Sequence, residues 1–254
     1  MRYAIHYTPS PNDPMTFAAA SWLGRDVYSG HSVEPPPHTG LGMQELSYFT
    51  ALPRRYGFHG AIKAPFYLAE GMTEAGLLRD LMRFAGTHQP FTLPPLEIAK
   101  LGNSYGLVPS WPSETLNFLA ASVVQDFDRY RAPLSDADID RADPHRLSAT
   151  QLTNLHRWGH PYVMDEFRFQ MTLTGAIVPA DCARLERALR SVFAALLERP
   201  LEFANLALFV EEEPGAPFRV HSLHPMGRVS ARKIARLQGA LDVSAQRKSH
   251  GCFW

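Results

Sequence analysis

One stretch of this chain occurs twice in outline, and that recurrence limits the folds open to it more than any other feature. Writing Tyr56–Leu68 (YGFHGAIKAPFYL) above Phe167–Pro179 (FRFQMTLTGAIVP) sets His59 over Gln170, 111 residues apart. The downstream segments keep step: His88-Gln89-Pro90-Phe91 lies over Glu198-Arg199-Pro200-Leu201, 110 residues apart, with each proline closing a helix and opening a strand. Each copy continues as strand, helix and strand pair. In the first, these are Phe58–Leu68, Thr73–Thr87 with Thr73 as N-cap, and a hairpin of Leu96–Leu101 with Tyr105–Pro109 around Gly102 and Asn103. In the second, they are Phe167–Val178, Pro179–Glu198, and Ala204–Val210 with Phe218–Leu223. A repeated unit of this kind predicts a duplicated α+β domain with a cleft between two lobes, and such junctions are where ligands bind.

The rest of the chain fits around that plan. Tyr3–Thr8 reads as a strand and Thr16–Leu23 as a short helix, while 28–43, with Pro35-Pro36-Pro37 and several glycines, reads as a loop of the kind that forms lids. Ser113–Arg131 is helical by period, and 135–158 is mostly helical with a break at Pro144. Twenty-five basic and 25 acidic residues leave no chain-wide field for nucleic acid or anionic lipid, so an anion site must be local. Two cysteines are too few for a disulfide framework, and nothing in the chain reads as a signal peptide or a membrane span; a cytoplasmic protein is expected, with no membrane partner.

Alternation along a strand predicts which side chains face the cleft. His59, Ala61 and Lys63 share one face of the first repeat strand, and Arg168, Gln170, Thr172 and Thr174 share one face of the second. Together they offer an imidazole, two cations, a carboxamide and two hydroxyls, a set suited to a phosphate or other small anion. His156 and His160 stand four apart, but no third ligand is evident, and Gly159 and Pro161 end the helix there, so neither a metal nor another cofactor is expected. Glu211-Glu212-Glu213 before Pro214-Gly215 reads as a solvated hairpin tip.

RYAIHYTP, SWLGRD (Ser21–Asp26), RYGFHGAIKAPFYL (Arg55–Leu68), WGHPYV (Trp158–Val163) and FRFQMTLTGAI (Phe167–Ile177) together resemble the two-histidine (2H) phosphoesterases, in their LigT-like branch associated with phosphonate-metabolism operons. The resemblance covers residues 1–226 and implies a duplicated two-lobe domain, with lobes at roughly 1–130 and 160–226 joined by a helical connection at 131–160. It implies a central cleft between two antiparallel sheets flanked by helices. It also implies a metal-independent cyclic phosphodiesterase in which each half supplies a His-x-Thr/Ser motif. On that pattern His59, Gln170 and Thr172 hold the catalytic places. Lys63, Arg168, Thr174 and Ala61 face the ligand, and Arg25 and Tyr162 lie in family-like segments as further substrate-binding candidates.

The motifs here read His59-Gly60-Ala61 and Gln170-Met171-Thr172, so one hydroxyl and one imidazole are missing. Losing a positioned acid or base costs about 10²- to 10⁴-fold in rate. Losing a donor to developing charge costs roughly 10²- to 10³-fold more. The Gln170 amide either binds phosphate or fills the space of an imidazole. Three readings stay open: a degenerate protein that binds a phosphorylated or phosphonate-type ligand without turnover, a variant made to trap a ligand, or a different reaction with His59 as the sole proton shuttle. Beyond Met226 the resemblance stops. Residues 227–254 form a tail that carries six Lys or Arg against one acid from 228 onward, with an amphipathic helix expected over 229–241 and nucleic acid as its alternative partner.

Overall fold

A computed structural model of the chain describes residues 1–227; the expected tail helix over 229–241 and its nucleic-acid contact lie outside the described residues. The chain runs β1 (Arg2–Tyr7), α1 (Pro14–Leu23), α2 (Met43–Phe49), α3 (Ala51–Tyr56), β2 (Gly60–Phe66), α4 (Glu74–Thr87), β3 (Phe91–Thr92), β4 (Leu96–Leu101) and β5 (Ser104–Pro109). It continues through α5 (Glu114–Asp126), α6 (Asp136–Arg141), α7 (Ala149–Trp158), β6 (Met171–Thr172), α8 (Cys182–Leu197), β7 (Glu202–Phe203), β8 (Asn205–Glu211) and β9 (Arg219–Pro225). Helix starts follow the capping rules: the side chains of Asp13, Thr73 and Ser113 accept from the backbone N–H groups of Met15, Gly76 and Leu116.

Seven strands form one antiparallel sheet in the order β4-β5-β6-β2-β1-β8-β9, and β3 pairs with β7 as a separate ribbon. The α+β class with antiparallel strands flanked by helices is as expected, but the halves do not form two sheets with a cleft between them: β2 and β6 pair, and the strands of both halves join edge to edge in one sheet. The repeat is visible in the register. β2 meets β6 at Gly60 and Met171, which the sequence repeat sets opposite each other, and the β3–β7 ribbon pairs Phe91 with Phe203.

Tyr3, Ile5 and Tyr7 of β1 enter the main core with Leu77 and Leu81 of α4, Leu116 and Leu119 of α5, and Leu185, Leu189 and Phe193 of α8. Ala4 turns to the other face, among Val27, Ala207, Phe209, Phe218 and Val220. The alternation of β1 therefore assigns one face of the sheet to helix packing and leaves His6 on the opposite one.

Two further expectations are corrected. The second repeat strand, expected over Phe167–Val178, shrinks to two residues, because the amides beyond it leave the regular ladder: Leu173 and Thr174 both donate to the one Tyr105 carbonyl at the start of β5, Gly175 donates to Phe49 at the end of α2, and Ile177 to Asn103 in the β4–β5 turn. The acidic run is not a solvated tip throughout, since Glu211 is fully buried and receives hydrogen bonds from both Arg2 and Arg55. Burial alone would raise its carboxyl, yet those two guanidinium groups hold it below the usual carboxylate value.

Candidate active site

Two pairings build the floor of a cavity of about 570 Å³. β1 sets His6 across from Ala61 on β2, and β2 sets Gly60 across from Met171 on β6. One step to either side of the Gly60–Met171 pair, the antiparallel register sets Ala61 against Gln170 and His59 against Thr172. All five of these side chains, His6, His59, Ala61, Gln170 and Thr172, line the cavity, with Tyr56, His160, Tyr162, Glu166 and Arg168 on its walls.

The close approach of the two halves depends on Gly60. A Cβ there would stand 2.2 Å from the Phe169 ring, so the middle residue of the first motif must be glycine for Phe169 to cross it. Gly57 is constrained as well, with φ of 75° and a Cβ position 2.2 Å from Val27. Its carbonyl lies 2.9 Å from His59 Nδ1. Because a carbonyl only accepts, the proton of neutral His59 sits on Nδ1, and Nε2 keeps its lone pair. Desolvation lowers the His59 pKa, more than the Gly57 carbonyl raises it, so the ring is a neutral base at physiological pH.

Arg168 stands at the cavity wall, where the carbonyls of Asp165 (2.8 Å) and Phe167 (2.6 Å) accept from its Nη1. Tyr162 is half exposed at the wall, and its backbone N–H donates to His160 Nδ1 over 3.2 Å. Desolvation pushes the His160 imidazole down to about 4. Among the described residues no group of three His, Cys, Asp or Glu side chains is arranged to hold a metal.

Three sequence-predicted residues are elsewhere. Lys63 does not face the cleft, because β2 carries an extra residue opposite the step from Ile5 to His6, and this bulge breaks the alternation. Its side chain turns under α5, where Nζ donates to the Val124 carbonyl and to Asp128, both at 3.3 Å. Thr174 is fully buried, with its hydroxyl accepting from the Tyr105 N–H (2.8 Å) and donating to Gly175 O. Arg25 follows the Gly24 cap of α1, bridges to Ser32 and donates to the Arg54 carbonyl, fastening a loop outside the cavity.

Sequence reasoning missed His6 and gave His160 no role. His6 is 2 % exposed, and its ring stacks on His59 with centroids 4.2 Å apart, both against Phe209. Alternation in RYAIHY was the available signal, since it sets His6 on the face opposite the aromatic row. His160, whose spacing from His156 gives no metal site, stands at the cavity wall.

Two curated relatives, each called ribose 1,5-bisphosphate phosphokinase PhnN, align with most of the chain. That of Janthinobacterium sp. (strain Marseille) is 37% identical over 221 residues, covering 85% of this chain and 49% of that protein. That of Laribacter hongkongensis (strain HLHK9) is 33% identical over 222 residues, covering 87% and 50%. The chain thus spans about half the length of the curated relatives it matches. A solved structure described as a phosphoesterase overlays with a TM-score of 0.37 at 10% identity, covering 89% of this chain and 99% of that one. The model of the family described as "Protein of unknown function (DUF1045)" matches residues 61–219, and the chain belongs to that family.

Proposed function

We propose that the cavity takes a small phosphodiester, in the manner of the 2H phosphoesterases, and cleaves it without a metal. The observation that carries this reading is the transverse pair of His59 and Thr172, with the His59 tautomer set by the Gly57 carbonyl so that Nε2 is a free base. In a cyclic phosphodiester, Nε2 takes a proton from water as the water oxygen bonds to phosphorus. One ring P–O bond breaks, the departing alkoxide takes a proton from solvent water, and the proton held on His59 Nε2 returns to solvent. Thr172 Oγ1 and the Arg168 guanidinium stabilise the phosphate oxygens. The name of the curated relatives supports a sugar phosphate as the substrate class; their phosphokinase activity is not carried over, because this chain matches half of them.

Residues 1–226 act in this reading as one two-lobed domain, supported by the β2–β6 and β3–β7 pairings between repeat-equivalent strands. Gln170 favours a second reading, in which the cavity binds a phosphate ester without turnover, since an amide does not supply a proton to the leaving group. The two separate in a metal-free assay with 2′,3′-cyclic AMP as probe. Turnover that falls about 10²-fold or more in His59→Ala supports catalysis. Gln170→His with Ala61→Thr is expected to raise it further. Binding without turnover, also lost in His59→Ala, supports the second reading, and absence of both refutes the site.

A further inference from the structure

The residue across the strand pair from Ala61, the position that lacks the motif's hydroxyl, is His6. Alanine leaves the space beside it open, and the His6 ring reaches the cavity while stacked on His59. Its two ring nitrogens differ in their surroundings. Nδ1 is fully enclosed and makes no well-formed hydrogen bond, the Ile5 carbonyl being only a weak acceptor for the ring. A neutral imidazole carries one N–H and one lone pair, and a well-placed phosphate oxygen outcompetes a poorly placed carbonyl for the proton. With phosphate bound the His6 proton therefore belongs on Nε2, the nitrogen left to the cavity. Burial, with the neighbouring His59, holds the His6 pKa well below its ordinary value, so the ring stays uncharged. His59 has the opposite tautomer, with its proton on Nδ1 toward Gly57. The stacked pair thus offers the cavity one acceptor and one donor. Packing alone does not call for a histidine here, because a phenylalanine would fill the space against Phe209 without enclosing an unpartnered nitrogen.

We infer that His6 is a phosphate-binding residue whose Nε2–H donates to a phosphate oxygen, supplying the hydrogen bond that position 61 cannot. The inference rests on the phosphate-ester reading of the cavity and identifies a contact within it.

Two measurements on the full chain test it. Two-bond ¹H–¹⁵N spectra of the histidine rings with inorganic phosphate bound should show His6 protonated on Nε2 and His59 on Nδ1, and the phosphate should shift the His6 Nε2 signal. Calorimetric titration with inorganic phosphate should then show His6→Phe binding about 10- to 100-fold more weakly, the loss expected for one hydrogen bond to a charged acceptor. Adding Ala61→Thr to that variant should recover most of the affinity. A His6 proton on Nδ1 in the phosphate complex overturns the inference even if His6→Phe does not fold. Phosphate binding to wild type with affinity unchanged in His6→Phe overturns it while the phosphate-ester reading stands. If wild type binds neither phosphate nor 2′,3′-cyclic AMP, both fall.

Discussion

Replacing Lys63 by methionine tests the bulge that removes this cation from the cleft. Lys63 is 2 % exposed, its partner Asp128 also receives Arg131 Nε at 2.8 Å, and desolvation lowers the ammonium from 10.5 to about 8, more than Asp128 raises it. Between those two values the unfolded chain holds a proton that the folded chain has released, so stability should rise as pH climbs from about 8 to 10.5. At 1.36 kcal/mol per pKa unit the rise amounts to about 3 kcal/mol. Below pH 8 the folded state bears this cost of a buried charge in full. Methionine matches the lysine stem in length, and Asp128 keeps Arg131 as a partner, so no buried charge is orphaned. Lys63→Met should therefore raise stability at pH 7 by up to about 3 kcal/mol and remove the wild-type rise above pH 8. Urea unfolding of both proteins from pH 7 to 10.5 reads the difference, and phosphate titration should give the same affinity for each. A variant less stable at pH 7, or one that loses phosphate binding, would refute the placement of Lys63 under α5.

Glu211→Gln should destabilise the fold by about 2 kcal/mol at pH 7, because it weakens the bonds from Arg2 and Arg55 at a buried site. Since the folded carboxyl titrates below its usual value, wild type should lose this contribution as pH falls through the folded pKa, and thermal melts of the variant should lack that component. Gly60→Ala should cost about 1–3 kcal/mol through its clash with Phe169, and Phe169→Ala should remove part of that penalty; strictly additive losses would argue against the contact. If the cavity turns over 2′,3′-cyclic AMP, the acid limb of its pH–rate profile should have a midpoint below 6.5, as the desolvated His59 requires, and a midpoint above that value would refute His59 as the base.

The element plan was legible because it rests on local rules. Thr73 and Ser113 cap their helices through their own side chains, and Leu96–Leu101 folds back on Ser104–Pro109 around a glycine with φ of 63°. The 111-residue offset anticipated that His59, Gln170 and Thr172 meet at one cavity, since Gly60 and Met171 pair where the repeat aligns them. Facing was legible only while the two-residue period held. One extra residue in β2 sends Lys63 to the helix side, and the amides after Thr172 crowd onto the Tyr105 carbonyl and then turn to Phe49 and Asn103 instead of continuing a ladder, so Thr174 is enclosed.

Arg25 shows the same limit, since a family-like segment does not reveal whether its side chain reaches a ligand or, as here, a neighbouring carbonyl. His6 shows the converse. Alternation fixes its face from the hexamer RYAIHY alone, but its position beside Ala61 and against His59 comes from pairing with a strand more than fifty residues away. Capping and periodicity act between near neighbours and repetition is a comparison of one segment with another, so all three can be read along the chain. Register, bulges and the partners of buried nitrogens depend on residues distant in the chain and are fixed only when the strands pack together.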